Sequence, residues 1–253
     1  MNRVLSNSGL QVIYEWLVTL AGTVFFLFSG LMMSLLSLFL KPFLSPHQAH
    51  RLGRRGMQYL TRIFFKGLSL SGIVRVDFKD LDRLRGERSI IIAPNHPCLM
   101  DALFVSSRLS NVVCVMKSSI ISNPVLFGCA SLGGFIRSDS PRRFVQQCEE
   151  ALDDGAQLLL FPEGTRTVAK PINDFKGGFS LVAWKTGAPV QTVFIEANTP
   201  FLGKHWPLWK KPTFPLIYKI RLGERFQVEK ERDHRAFTVR LENYFKSRLK
   251  DQG

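Results

Sequence analysis

The fold is decided by residues 89–101, which read SIIIAPNHPCLMD. Ser89–Ala93 is a short apolar run of the kind that forms a central strand covered on both faces. Pro97 suits the first position of a helix, with His96 at or next to the N-cap. The stretch therefore predicts a strand, a turn and a helix in succession. This is the unit of an α/β fold, and it places an imidazole at the junction where such folds bind ligands.

The rest of the chain repeats this alternation of short β-type runs and helical runs. Val74, Val76 and Phe78 alternate with charged residues, as in a strand with one solvated face. Further strands are predicted at 111–116, 157–161 and 190–195, with edge strands at 217–220 and 226–228. Helices are predicted at 141–154 and 237–249. The pattern indicates a single α/β domain with a mixed sheet flanked by helices.

The N-terminal segment Trp16–Leu40 contains no charged residue. A helix of about 25 residues at about 1.5 Å each reaches roughly 37 Å, which exceeds the roughly 30 Å of a hydrocarbon core. The run lacks the small-residue cleavage site of a signal peptide. We therefore expect it to enter a membrane, either as a transmembrane helix or as a re-entrant hairpin bent at Gly22, Ser29 and Gly30.

Basic residues lie asymmetrically around this segment. Arg3 precedes it, and six basic residues follow it: Lys41, Arg51, Arg54, Arg55, Arg62 and Lys66. This bias predicts that the following domain lies on the cytoplasmic side of a cytoplasmic (inner) membrane. Residues 47–68 predict an interfacial amphipathic helix, although an ordinary surface helix fits equally well. The chain thus divides into a membrane anchor (1–45), an interfacial linker helix (46–70) and an α/β domain (71–253).

The composition restricts the partners. The chain has 34 Lys+Arg against 20 Asp+Glu, a formal charge of +14, and 45% hydrophobic residues. The apolar content excludes a disordered chain, and the charge indicates a polyanionic partner, which is nucleic acid, an anionic membrane or an acidic carrier protein. The four cysteines lack CxxC spacing and form no zinc pattern with the five histidines. We therefore predict neither a disulfide scaffold nor a metal site.

His96 and Asp101 are a candidate catalytic pair. Five residues apart on one uninterrupted helix, the two side chains would point about 140° apart. With His96 just before the helix, Asp101 can reach back to the ring, fix its tautomer and strengthen the other nitrogen as a base for a hydroxyl. A capping histidine with an unrelated surface aspartate explains this spacing at least as well.

A second polar cluster follows the predicted strand 157–161. It reads PEGTR at 162–166 and continues to KGG at 176–178. Backbone N–H groups, a hydroxyl and a guanidinium at one turn are the groups that hold a phosphate or another oxyanion. Glu163 is placed to orient the arginine or an acceptor hydroxyl. A plain turn is the alternative.

Together these motifs resemble those of the glycerophospholipid acyltransferase family, whose type member is lysophosphatidic acid acyltransferase (1-acylglycerol-3-phosphate O-acyltransferase). The resemblance covers about Ser89–Ile195, with the FPEGTR block intact at Phe161–Arg166. It implies an α/β acyltransferase domain with N-terminal helices in one leaflet, and His96 as general base oriented by Asp101. It also implies substrate binding by Glu163, Gly164, Thr165, Arg166, Arg137 and Lys176.

The reaction implied by the resemblance transfers a fatty acyl group from acyl-CoA or acyl carrier protein to a lysophospholipid-type hydroxyl. Such a transfer requires a base and donors for the oxyanion, with no metal or other cofactor. Two departures concern the acceptor. The second block reads FIRS at 135–138, which keeps Arg137 and loses the family's second arginine, and the fourth keeps only Pro189 of a proline-rich strand. Another lysolipid, an aminolipid or a specialised lipid is therefore an alternative acceptor.

Other functions compete with transfer to a lipid. The same site could pass the acyl group to water as a thioesterase, or Cys98 could form an acyl-cysteine. The protein could also bind lipid without a reaction. Residues 204–211 place two tryptophans among three lysines. This suits a headgroup region or an acidic carrier protein, and an ordinary loop fits as well. A nucleic-acid binder explains the charge but neither the motifs nor the anchor.

Overall fold

The computed structural model describes residues 9–207, 209–228 and 233–250. The strands are β1 Val74–Asp77, β2 Ile90–Pro94, β3 Val112–Met116, β4 Ile136–Arg137, β5 Gln157–Leu159, β6 Val190–Ala197 and β7 Leu216–Phe226. The α-helices are α1 Gly9–Leu40, α2 Pro46–Leu70, α3 Asp101–Arg108, α4 Ser118–Ile121, α5 Pro124–Gly133, α6 Pro141–Asp153, α7 Gly178–Thr186 and α8 His234–Lys250. Short 3₁₀ turns lie at Lys41–Phe43 and Leu81–Leu84. Arg3, used above to predict orientation, lies outside the described residues.

The strands form one mixed sheet in the order β1-β7-β6-β2-β5-β3-β4. The strands β6, β2, β5, β3 and β4 run parallel, whereas β7 pairs antiparallel with β6 and parallel with β1. The central strand β2 is buried along its whole length, as its unbroken apolar sequence predicts. The predicted α/β domain with a mixed sheet flanked by helices is confirmed.

Helices cover both faces of this sheet. Ile91 belongs to the core shared with α6, α7 and α8, where Phe179 is fully buried. Ile90 and Ile92 belong to the core shared with α2 and α3, where Phe104 is fully buried. Successive side chains of a strand point to opposite faces, so β2 contributes to both cores. This double burial fixes where its carboxyl end emerges.

The last part of the sheet differs from the prediction of two edge strands. Leu216–Phe226 is one strand, and it lies inside the sheet between β1 and β6. Its polar residues 221–225 resemble a turn in the sequence, but they pair with β6 across a register shift between Gln191 and Val193. Gly223 permits the close approach, because a Cβ there would lie 2.4 Å from Oγ1 of Thr192. Long-range pairing has overridden the local polar pattern.

The N-terminal apolar segment is a continuous helix. Gly9–Phe43 is long and apolar enough, by length and composition, to cross a membrane. The predicted bend at Gly22, Ser29 and Gly30 is absent, since α1 is helical throughout Gly9–Leu40. Gly30 instead permits close packing on α5, because a Cβ there would lie 2.4 Å from the carbonyl oxygen of Val125.

Both ends of α1 contact the rest of the protein. The chain reverses after Lys41–Phe43, and α2 runs back antiparallel, so that Oη of Tyr14 donates to the carbonyl of Ser71 at 2.7 Å. At the other end, Nζ of Lys41 lies 3.0 Å from Oγ of Ser131. The helix therefore lies along the domain. Its outer face exposes large apolar side chains, including Leu17, Leu20, Val24, Phe28, Leu31, Leu35 and Leu38.

Substitutions at two glycines of α2 test the packing of α2 against α5. A Cβ on Gly53 would lie 2.4 Å from the carbonyl carbon of Leu132 in α5, whereas a Cβ on Gly67 would meet nothing within 4 Å. We expect Gly53→Ala to lower the free energy of unfolding by about 1–3 kcal/mol, because the two helices must separate. Gly67→Ala should be neutral or raise it by about 0.5–1 kcal/mol, because glycine loses more backbone entropy on folding. Thermal unfolding in detergent micelles measures both, and equal shifts would contradict the close contact.

Candidate active site

The predicted site residues lie at the carboxyl ends of three parallel strands. His96 comes after β2, Glu163 comes after β5, and Arg137 ends β4. Because β2, β5, β3 and β4 are consecutive in the sheet, at about 4.8 Å per strand, these residues lie along an edge of roughly 15 Å. Sequence reasoning missed Lys117, which directly follows β3 in the same row. In the sequence, Lys117 could have been found as the first polar residue after the apolar run 111–116.

His96 and Asp101 come together by a different backbone path from the predicted one. Nδ1 of His96 lies 2.8 Å from Oδ2 of Asp101. The helix α3 begins at Asp101 and not at Pro97, and residues 95–100 form a turn. The cause is the carboxylate itself. Its Oδ2 also accepts the backbone N–H of Cys98 at 2.9 Å, which curls the turn toward Asp101.

This contact favours one tautomer of a neutral imidazole. Asp101 is fully buried, and an ionised carboxylate only accepts hydrogen bonds, so the tautomer that fits opposite it has the proton on Nδ1 and a lone pair on Nε2. The His96 ring stacks on Phe161 with the centroids 3.9 Å apart. The ring is thus held in one orientation, with Nε2 as the basic nitrogen. A general base for a hydroxyl requires this arrangement.

Cys98 lacks the properties of a nucleophile. Its side chain is buried, and the thiol donates to Oδ1 of Asp101 at 2.9 Å. Burial and the adjacent carboxylate raise the pKa of the Cys98 thiol well above its usual range. The thiolate is therefore unfavourable near neutral pH, which argues against an acyl-cysteine route.

Glu163 connects two loops through hydrogen bonds. It is fully buried, and its Oε1 accepts the backbone N–H of His96 at 2.9 Å and the hydroxyl of Thr167 at 2.7 Å. Its Oε2 accepts the backbone N–H of Asn173 at 2.9 Å. Arg166, one of its predicted partners, bonds instead to two backbone carbonyls of the loop after β6. The position of Glu163 joins the turn after β2 to the loop after β5.

A left-handed turn places the remaining residues of this loop. Gly164 has φ +64°, a conformation that favours glycine. Lys176 packs beside it, since a Cβ on Gly164 would lie 3.1 Å from Cγ of Lys176. Thr165 and Arg166 are partly exposed, and two backbone carbonyls of the loop after β6 hold the guanidinium. The structure thus brings Gly164, Thr165, Arg166 and Lys176 to the same loop.

Arg137 stands apart from this group. It is exposed at the end of β4, two strands beyond β5. Lys117 and Lys176 are also exposed, so cationic side chains line the whole edge. Such an edge attracts an anionic headgroup. Within residues 9–207, 209–228 and 233–250, no group of three His, Cys, Asp or Glu is placed to hold a metal ion.

An apolar cavity lies beside α3, the helix that begins at Asp101. It is enclosed by α1, α2, α3, β3 and α5, and its lining includes Phe25, Met57, Phe64, Leu103, Met116 and Phe135. The helix α3 therefore carries Asp101 at its first position and contributes Leu103 to the cavity wall. The lining residues are scattered over the sequence, so no local pattern predicts the cavity. Its wall suits a hydrocarbon.

Several known proteins are similar to this chain in sequence. A family model described as Acyltransferase matches residues 75–196. The chain is 26% identical over 148 residues to the chloroplastic 1-acyl-sn-glycerol-3-phosphate acyltransferase BAT2 of Brassica napus, covering 56% of this chain and 43% of that one. It is 24% identical over 164 residues to the 1-acyl-sn-glycerol-3-phosphate acyltransferase of Pseudomonas aeruginosa, covering 62% of each. It is 32% identical over 130 residues to the lyso-ornithine lipid O-acyltransferase of the same organism, covering 44% of this chain and 50% of that one.

The fold also matches a solved structure. The crystal structure of the 1-acyl-sn-glycerophosphate acyltransferase PlsC from Thermotoga maritima has a TM-score of 0.68 at 19% identity, covering 95% of this chain and 97% of that one. The sequence alignments span 43% and 62% of the lengths of the two 1-acyl-sn-glycerol-3-phosphate acyltransferases. Residues 75–196 thus match the Acyltransferase family model, and the chain is similar over part of its length to glycerophospholipid acyltransferases.

Proposed function

We propose that the protein is a membrane-attached O-acyltransferase that moves a fatty acyl group from a thioester to the hydroxyl of a glycerophosphate lysolipid. The observation that carries this proposal is the 2.8 Å contact between Nδ1 of His96 and the fully buried Asp101. It lies on the same sheet edge as Arg166 and the cationic side chains. The two relatives named 1-acyl-sn-glycerol-3-phosphate acyltransferase support the class of acceptor.

In this mechanism His96 is the general base. Its Nε2 takes the proton of the acceptor hydroxyl while the oxygen attacks the carbonyl carbon of the thioester. Asp101 stabilises the imidazolium that forms. The tetrahedral intermediate then collapses, the C–S bond breaks, and the donor's thiolate takes the proton from His96. The products are the acylated lipid and a free thiol, and no enzyme group is acylated.

The acceptor's phosphate binds at the cationic edge in this proposal. Arg166 presents a planar guanidinium that suits two oxygens of one phosphate. Lys176 lies beside Gly164 in the same loop, and Lys117 follows the neighbouring strand. The apolar cavity between α1, α2, α3 and α5 has a volume of about 60 Å³, which accommodates part of an acyl chain at most. Acyl-CoA and acyl carrier protein are both acidic donors, and the basic surface suits either.

The anchor lies in one leaflet in this proposal. A helix that crossed the bilayer would carry one end away from the catalytic domain, whereas Tyr14 and Lys41 bond to the protein at both ends of α1. The exposed apolar face of α1 is then left for lipid. Exposed basic residues of α2, including Arg55 and Arg62, suit the anionic headgroups of a cytoplasmic leaflet.

Substitutions test the assigned base. We expect His96→Ala to lower kcat by about 10²–10⁴-fold, because proton transfer from the acceptor is lost. Asp101→Asn should have a comparable effect, since an amide favours the wrong imidazole tautomer. Cys98→Ser is the matched control and should stay within about threefold of the wild type, because a hydroxyl can still donate to Asp101. With native circular dichroism spectra, an active His96→Ala or an inactive Cys98→Ser would contradict the assignment.

An acceptor screen tests the reaction. Purified protein in mixed micelles receives labelled acyl-CoA or acyl carrier protein, with lysophosphatidic acid, a neutral monoacylglycerol or lyso-ornithine lipid. We expect phosphatidic acid as the main product, identified by mass spectrometry, because a phosphate complements the cationic edge. Free fatty acid alone would identify a thioesterase. Product from lyso-ornithine lipid alone would replace the proposed acceptor with that of the Pseudomonas aeruginosa relative.

Thiol labelling tests the anchor. Gly9→Cys and His47→Cys place thiols before and after the apolar segment, and the wild type gives the background from its native cysteines. In sealed membrane vesicles, a membrane-impermeant maleimide should label both variants from the side that carries the catalytic domain, because α1 has both ends on that side. Labelling of one position from each side would identify a spanning helix instead.

A further inference from the structure

The β6–β7 loop, residues 198–215, lies over the catalytic turn. The carbonyl of Leu202 accepts the backbone N–H of Leu99 at 3.0 Å and Nη1 of Arg166 at 3.0 Å. The carbonyl of Gly203 accepts the same Nη1 at 2.9 Å. Leu99 belongs to the turn that carries the proposed base. One carbonyl group therefore connects that turn to the proposed phosphate ligand.

Leu202 has a backbone conformation that leucine rarely adopts. Its φ is +57°, in the left-handed region. A non-glycine residue remains there only where the surrounding contacts hold it. The strained residue is also the one whose carbonyl makes two bonds at the site. The hydrogen bonds at the site therefore determine the backbone conformation of Leu202, against the intrinsic preference of leucine.

The other end of the loop is fixed to the membrane helix. Lys211 forms an ion pair with Glu15 of α1, and the two side chains are 21% and 5% exposed. Nε2 of Gln11 donates to the second carboxylate oxygen of Glu15 at 3.1 Å. Next to Lys211, the chain folds back on itself, since Nε1 of Trp206 donates to the carbonyl of Lys210 at 3.0 Å. The ion pair connects this part of the loop to α1.

A buried ion pair is an inefficient way to stabilise such a contact. Removing the carboxylate of Glu15 and most of the Lys211 side chain from water offsets much of their attraction, and two apolar side chains of similar volume pack as well. Among the described residues of α1, Glu15 is the one charged side chain. The ion pair instead fixes the position of the loop relative to α1, because the carboxylate of Glu15 pairs with the ammonium of Lys211.

We propose that Glu15 and Lys211 are positioning residues for the acceptor's phosphate, and that they act on Arg166 through the β6–β7 loop. The ion pair holds the C-terminal part of the loop, at Lys211, against α1. In the N-terminal part of the loop, the carbonyls of Leu202 and Gly203 orient the guanidinium of Arg166. The depth of α1 in lipid thereby sets the depth at which the phosphate binds. This inference rests on the function proposed above.

The kinetics of a variant in which both residues of the ion pair are uncharged test this role. The double variant Glu15→Gln/Lys211→Met removes the ion pair without leaving a lone buried charge. We expect its KM for lysophosphatidic acid to rise about tenfold, the effect of weakening one charge-assisted contact. The KM for the acyl donor and kcat should stay within about twofold, because His96 and Asp101 are unchanged. Lys185→Met is the control, since it removes the same charge from an exposed position in the last turn of α7, and its acceptor KM should equal that of the wild type.

The reversed pair Glu15→Lys/Lys211→Glu supplies the rescue, and it should return the acceptor KM toward the wild-type value. An unchanged acceptor KM in the double variant, with an active wild type, would overturn this inference alone. A parallel loss in kcat and in both KM values, together with a lowered thermal midpoint, would also overturn it and indicate a structural role. A wild type that acylates no phosphate-bearing lysolipid would overturn the proposed function and this inference together.

Discussion

The structure of the site depends above all on the buried carboxylate of Asp101. A carboxylate without access to water must accept hydrogen bonds, and Asp101 accepts them from the backbone and thiol of Cys98 and from the ring of His96. This requirement curls the turn after β2 and delays the start of α3 until Asp101. An acidic residue at that position also suits the helix dipole. The same side chain therefore begins the helix and prepares the base.

The buried carboxylate of Glu163 must also accept hydrogen bonds. Its donors are backbone N–H groups and a hydroxyl, and they belong to two loops. Neither buried carboxylate is paired with a cation of the binding edge. Arg166 in turn is held by the neutral carbonyl oxygens of Leu202 and Gly203. These carbonyls fix the direction of the guanidinium without neutralising its charge. A site arranged in this way keeps its positive charge for an anionic ligand while its loops stay rigid.

The sequence predicts best those features whose cause is local. The apolar run of β2 and the helix beginning at Pro141 lie where their patterns indicate. The start of α3 could not be predicted, because it depends on hydrogen bonds made by the side chain of Asp101. The inner strand Leu216–Phe226 depends on pairing with distant residues, and its polar stretch resembles a turn. The apolar cavity has no local signal at all, since its wall comes from several elements. Gly30 was interpreted as a bend because its role in close packing depends on α5, a separate part of the sequence.

The apolar helix α1 also contributes to the wall of a cavity in the domain. Phe25 of α1 and Phe64 of α2 line the cavity that also contains Leu103 of the helix beginning at Asp101. Exposing an acyl chain to water costs about 0.8 kcal/mol per CH₂, so extracting about ten CH₂ groups from lipid costs about 8 kcal/mol. In the proposed one-leaflet arrangement, apolar side chains of α1 next to lipid would lower this cost, because the chain would pass from lipid to an apolar wall. The polar edge would then have to meet the headgroup at the depth where the chain enters. Under the proposed function, this requirement accounts for direct contacts between α1 and the polar loops, such as that of Glu15 with Lys211.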